Sequence, residues 1–232
     1  MTEKIKYTRK DLKGPDEFVS TFSRLVSWVK ENRLRVGMAA AVAFLIAGGV
    51  LGSRAYFAWE EEKATSDLWP HLNRAREFLQ APAAADAQKL AGLEQFLAAH
   101  VNRHPDTRTA VYARYYLGSI AYLRGNYDLA AAQFQAALAS GKAKDLFIFL
   151  LREGLAQSLE AKGDFAGAAR AYREAAASAG PEMKTLAMSG EARTLEFQGK
   201  RREAADVYRK ILVEDPGTPL KEFVEIKLQQ LG

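Results

Sequence analysis

The side chains best suited to metal or acid–base chemistry are three histidines, His71, His100 and His104, in a sequence that contains no cysteine. Only His100 and His104 have the i, i+4 spacing that sets two imidazoles on one face of a helix. A metal would need a third ligand, and Asp106 is the acid nearest in sequence. The pair therefore reads as a solvated helix end, with no metal and no cofactor expected. Lack of cysteine removes thiolate nucleophiles, disulfides and cysteine-ligated zinc or iron–sulfur centres. It leaves the compartment open, because an oxidising space tolerates a thiol-free chain. Glu60, Glu61 and Glu62 read as solvated charges rather than general acids. There is no HExxH, no GxSxG and no phosphate-binding loop. The expectation is a protein without enzymatic activity.

What remains is binding chemistry. Tyr112, Tyr115, Tyr116, Ser119 and Tyr122 recur at helical spacing, followed downstream by Glu153, Gln157 and Glu160 and then by Ser189, Arg193 and Glu196. Tyrosine rings contact extended chains at small entropic cost, and carboxylates and guanidinium groups add polar selectivity. Tyr116 and Tyr122 equally admit a packing role against the helices upstream.

The elements that must position these groups are helical, with alanine-rich 3.6-residue patterns and no period-two strand. Gly125, Gly163 and Gly199 set a repeat of 36 to 38 residues. Seven residues before them stand Gly118, Ala156 and Ala192, and two after stand Tyr127, Phe165 and Arg201. Ala130, Ala168 and Ala204 follow at five, Phe134, Tyr172 and Tyr208 at nine, and Ala137, Ala175 and Ile211 at twelve. This phase resembles the tetratricopeptide repeat, in which small residues let paired helices touch and an aromatic fills the space between neighbours. The resemblance implies that the first helix of each pair lines a concave groove carrying the tyrosines and charges above. Arg201 and Ile211 depart from the pattern, so the third unit should be looser. Segments 60 to 80 and 86 to 102 read as a degenerate upstream pair, with Pro70 kinking its first helix after Trp69. Leu220, Phe223, Val224, Leu228 and Leu231 form the apolar face of a capping helix.

The run VGMAAAVAFLIAGGVLGS, Val36 to Ser53, is 18 residues without a charge, bracketed by Arg33, Arg35 and Arg54. As a helix it covers about 27 Å, close to the ~30 Å of a hydrocarbon core. Tyr56, Phe57 and Trp59 follow where an interfacial aromatic belt would sit. Nine Lys and Arg precede the run, from Lys4 to Arg35, whereas residues 54 to 73 hold only Arg54 and Lys63. The positive-inside rule then keeps the N-terminus cytoplasmic and sends residues 55 to 232 across the membrane, into the periplasm of a bacterium. Gly48 and Gly52 have the small-xxx-small spacing of helix contacts in lipid, which makes a homo-oligomer possible. Gly14 to Glu17 reads as a helix start, and Phe18, Val19, Phe22, Leu25, Val26 and Val29 form an apolar face suited to the inner leaflet or a partner.

The formal charge of +5 lies wholly within residues 1 to 54, which hold 10 Lys/Arg against 5 Asp/Glu; residues 55 to 232 balance at 23 each. A folded domain with no excess positive charge has nothing to track phosphates with, so nucleic acid is not an expected ligand. With 26% charged and 48% hydrophobic residues the chain is not of a disordered class.

The expected fold class is all-α: one N-terminal transmembrane helix followed by a tetratricopeptide-like α-solenoid with a C-terminal capping helix. Its parts are a cytoplasmic segment with an amphipathic helix, 1–35; the transmembrane helix, 36–57; a linker helix and degenerate pair, 58–105; and the repeats with their cap, 106–232. This layout, with the exit segment Arg54 to Trp59, resembles the bacterial YfgM-like family, the ancillary subunit of the Sec translocon. The resemblance implies an inner-membrane adaptor or chaperone-like module. Its implied partners are translocon subunits, a periplasmic chaperone or prolyl isomerase, and unfolded client segments. The alternatives are a self-assembling scaffold that organises an envelope complex, and a secreted repeat protein released by signal cleavage near Ala55.

Overall fold

The structure, a computed structural model, describes residues 17–81, 87–144 and 146–232, with ten helices and no strand among them. The helix start expected at Gly14 to Asp16 lies outside these residues, as do the side chains of Phe18 and Val19. The chain falls into two compact units, Met1–Phe57 and Ala58–Gly232.

In the first unit, α1 (Glu17–Glu31) leaves Phe22, Leu25 and Trp28 more than half exposed. The next helix, α2 (Arg33–Gln80), contains an 18-residue stretch of mean hydropathy 2.0, none of it buried. By length and composition this helix can cross a bilayer. Gly48 and Gly52 have open space where a Cβ would stand. The helix runs on through Pro70 to Gln80.

The second unit continues with α3 (Ala87–Arg103), α4 (Arg108–Leu123), α5 (Tyr127–Ala139), α6 (Leu146–Ala161), α7 (Phe165–Ala177), α8 (Pro181–Phe197), α9 (Arg201–Glu214) and α10 (Lys221–Leu231). Leu68, Ala75 and Phe78 of α2 pack with Leu93 and Leu97 of α3 and with Tyr116 and Ile120 of α4. From α4 onward the helices form three hairpins, each turning at a glycine with positive φ: 77° at Gly125, 87° at Gly163 and 75° at Gly199. The backbone closes each first helix in the same way. Gly125 and Asn126 donate to the carbonyls of Tyr122 and Ala121, both at 2.9 Å, and the pattern recurs at Gly163–Asp164 and Gly199–Lys200. This is the Schellman arrangement, and it demands the left-handed conformation that glycine adopts without strain.

Asn126 and Asp164 also cap the second helices, accepting from Leu129 N and Gly167 N, whereas Lys200 supplies no side-chain cap to α9. Ala130, Ala168 and Ala204 are fully buried, because only a methyl group fits where each pair of helices crosses. The looser third unit expected from Arg201 and Ile211 is not found in its core. Ile211 is fully buried beside Tyr208 and Val224, so its extra volume fills space against the capping helix rather than a further repeat. Arg201 Nη2 donates to the Gln230 carbonyl at 2.6 Å, closing the last turn of α10.

Candidate binding site between the first two repeats

The phenyl ring of Phe134 occupies the joint between the first and second hairpins. A Cβ at Gly118 or Gly154 would approach it to 2.8 and 2.6 Å, so α4 and α6 can close on the ring only through glycine. Beside the ring opens a cavity of about 260 Å³ lined by Tyr115, Ser119, Tyr122, Glu153, Gln157 and apolar neighbours including Leu79 and Leu150. Five of the expected groove residues therefore share one recess. Tyr115 is partly buried, its ring 6.2 Å from Phe134 and 5.7 Å from Phe147, and its carbonyl accepts from Ser119 Oγ at 2.9 Å. Burial pushes the Glu153 carboxyl above the usual carboxylate range. The recess thus offers aromatic faces, an amide and an acid that gains by pairing with a donor.

Other expected groove residues are placed differently. Tyr112 packs against Phe147 with ring centroids 4.4 Å apart and the planes tilted by 39°, at the edge of the same aromatic cluster. Tyr116 is 9% exposed and belongs to the core shared with α2 and α3, and Ser189 is 6% exposed. Neither faces a groove: Tyr116 takes the packing role against the upstream helices, and the groove expectation for Ser189 is corrected. Periodicity places a residue on a helix but does not say which neighbouring helix covers it.

Glu160, Arg193 and Glu196 are engaged within the fold. Glu160 accepts from Tyr172 Oη at 2.8 Å and from Arg193 Nε and Nη2 at 2.7 and 2.8 Å, joining α6, α7 and α8. One unit later Glu196 accepts from Tyr208 Oη at 2.8 Å and from Lys227 Nζ at 3.1 Å, joining α8, α9 and α10. Burial alone would raise the Glu160 carboxyl, but the Arg193 and Tyr172 hydrogen bonds outweigh it and hold the group below its usual range. At the corresponding positions the first joint carries Tyr122, Phe134 and Gln157, which cannot form the triad. The second and third joints are ionic clasps, and the first is the recess.

A family model for the tetratricopeptide repeat-like domain matches residues 27–232. The chain belongs to this family. Its domain is a protein–protein interaction module, typically a non-catalytic scaffold. No curated protein matches the chain. In this family member a recess opens between hairpins one and two.

The clasps escaped the sequence reading although their signal was present: a glutamate three residues before the turn glycine and a tyrosine nine after it, in units two and three. The histidines also depart from expectation. His100 is fully buried and His104 only 5% exposed, so they are not a solvated helix end. The acid that joins them is Asp67 of α2, not Asp106. A larger space of about 830 Å³ lies between α2 and α3 beside His71 and Phe96, away from the expected groove.

Proposed function

We propose that this protein is a non-enzymatic adaptor, anchored in the bacterial inner membrane by α2, whose repeat array captures protein segments in the recess between its first two hairpins. The recess itself carries the reading: in an array whose other joints are clasped by ions, one joint exposes tyrosines, an amide and a half-buried acid around a 260 Å³ space. The fully exposed apolar stretch of α2 supports anchoring, since water would not tolerate that surface uncovered. The arginine- and lysine-rich segment before it supports a cytoplasmic N-terminus and a periplasmic array. Similarity to the YfgM-like layout supports a role beside the Sec translocon, with emerging proteins as clients.

Photocrosslinking in intact membranes tests this reading. A crosslinker in place of Gln157 should trap segments of translocating proteins or translocon subunits, whereas one at exposed Glu222 on α10 should trap neither. Adducts formed only between copies of the chain would replace the adaptor with the self-assembling scaffold. A C-terminal reporter enzyme active only in the cytosol would overturn the topology.

A further inference from the structure

Where α2, α3 and the start of α4 meet, three potential ligand atoms converge. His100 lies in the last turn of α3 and His104 just past its end, its N–H donating to the His100 carbonyl at 2.9 Å, and Asp67 comes from α2. Asp67 Oδ2 lies 3.6 Å from His100 Nδ1 and 3.9 Å from His104 Nε2, and all three atoms fall within 4.8 Å of one another. The decisive question is where the protons are. Thr107 Oγ donates to the His104 carbonyl at 2.8 Å, so in its 2.8 Å contact with Thr109 it must accept. Thr109 Oγ has then spent its only proton and must accept from His100 Nε2, 3.0 Å away. Nε2 thus carries a proton, and His100 Nδ1 is the nitrogen turned toward Asp67. It is fully buried and has no hydrogen-bond partner. His104 is oriented in the same manner: its Nδ1 lies 2.6 Å from Glu60 Oε1, so Nε2 is the nitrogen turned toward Asp67. Two imidazole nitrogens and a carboxylate oxygen therefore face one another.

We propose that Asp67 Oδ2, His100 Nδ1 and His104 Nε2 form a binding site for a zinc-class divalent cation. Tetrahedral zinc bonds of about 2.0–2.2 Å place neighbouring ligand atoms roughly 3.3–3.6 Å apart, so the 3.6 and 3.9 Å separations seen here need only a small inward movement. Glu60 and Thr109 hold the far nitrogens of both rings, the outer arrangement that orients histidine ligands and strengthens them as donors. Two nitrogens and one oxygen suit zinc, whereas calcium and magnesium demand more oxygens. An open cavity of about 610 Å³, lined by Trp59, Glu62, Lys63, Asp67, Arg103 and His104, provides entry and room for a water as fourth ligand. One group opposes the ion: Arg103 Nη1 bonds Asp67 Oδ2 at 3.2 Å, from a side chain 58% exposed that can swing aside. A bound cation would pin α2 to the α3–α4 junction.

The test uses the full chain in detergent micelles, purified with a histidine-free tag, stripped with a chelator and titrated with Zn²⁺ against a chromogenic competitor. One equivalent should bind per chain, and Co²⁺ should give the visible bands of four-coordinate nitrogen–oxygen ligation. Since His100 is fully buried and its removal could unfold the chain, Asp67→Asn carries the main comparison and should weaken Zn²⁺ at least tenfold with the circular dichroism unchanged. Glu60→Gln should weaken it about tenfold through His104. Arg103→Gln should tighten it by removing the competing charge, and Asp106→Asn should leave it unchanged. No stoichiometric binding, or equal affinity in Asp67→Asn and Asp106→Asn, overturns the proposal.

Discussion

The first joint of the repeat array and the second are built on the same backbone, yet one is open and the other closed. In the second, Glu160, Tyr172 and Arg193 lock three helices together; in the first, Tyr122, Phe134 and Gln157 stand in those places beside a 260 Å³ recess. Turn geometry, small crossing residues and a buried aromatic are common to both and explain the fold. Three side chains separate a clasped joint from an open one. Within one solenoid, a candidate site stands out where the locking pattern lapses rather than where unusual residues appear.

Four experiments break or sharpen this contrast. The largest effect is expected at the ring the two joints share in different forms. Phe134→Ala should cost about 3–5 kcal/mol in urea denaturation, since the facing glycines have no side chain to fill the void. A loss under about 1 kcal/mol would mean the first joint is loose rather than packed around a recess. Next is a transplant: Tyr122→Glu, Phe134→Tyr and Gln157→Arg together should rebuild the clasp in the first joint. Captured segments should then bind at least tenfold more weakly, about 1.4 kcal/mol, while helicity is kept. Unchanged binding would dissociate the recess from function.

A smaller effect separates the two acids. Glu160→Gln should lower stability by about 1–2 kcal/mol because Arg193 and the Tyr172 hydroxyl lose a charged acceptor at a partly exposed site. Glu153→Gln should be neutral or slightly stabilising, because burial disfavours that carboxylate. The pH dependence is the finest test. A carboxyl raised in the fold penalises stability while ionised, so acidification from neutral pH through the raised Glu153 value should increase the melting temperature. A lowered carboxyl contributes fully above its unfolded value, about 4.3, and that contribution is lost as pH falls through the folded value of Glu160. The first limb should vanish in Glu153→Gln and the second in Glu160→Gln; melts that lose the same limb in both variants would refute the assignment.

The hairpins were legible in the sequence because Gly125, Gly163 and Gly199 punctuate them at a fixed phase, and an alternating apolar face announced α10. Five groove residues were also legible, since Tyr115, Ser119, Tyr122, Glu153 and Gln157 follow from helix phase alone. Tyr116 took the packing role rather than the groove, and Ser189 was misplaced, because burial depends on the neighbouring helix, which a single helix's pattern does not name. The histidine cluster was hidden for a related reason. Asp67 and Glu60 reach His100 and His104 across more than thirty residues of chain, and spacing within α3 carries no trace of an acid supplied by α2.

Lys227 on α10 takes toward Glu196 the part that Arg193 takes toward Glu160. The cap therefore presents to the last unit the same handshake that a following unit would. Excising residues 164 to 199, one 36-residue period, would bring Glu160 into register with Tyr208 and Lys227, and the shortened chain should still melt in a single cooperative transition. Length in this protein is thus an adjustable quantity, set by how many interchangeable cassettes lie between the recess and the terminator.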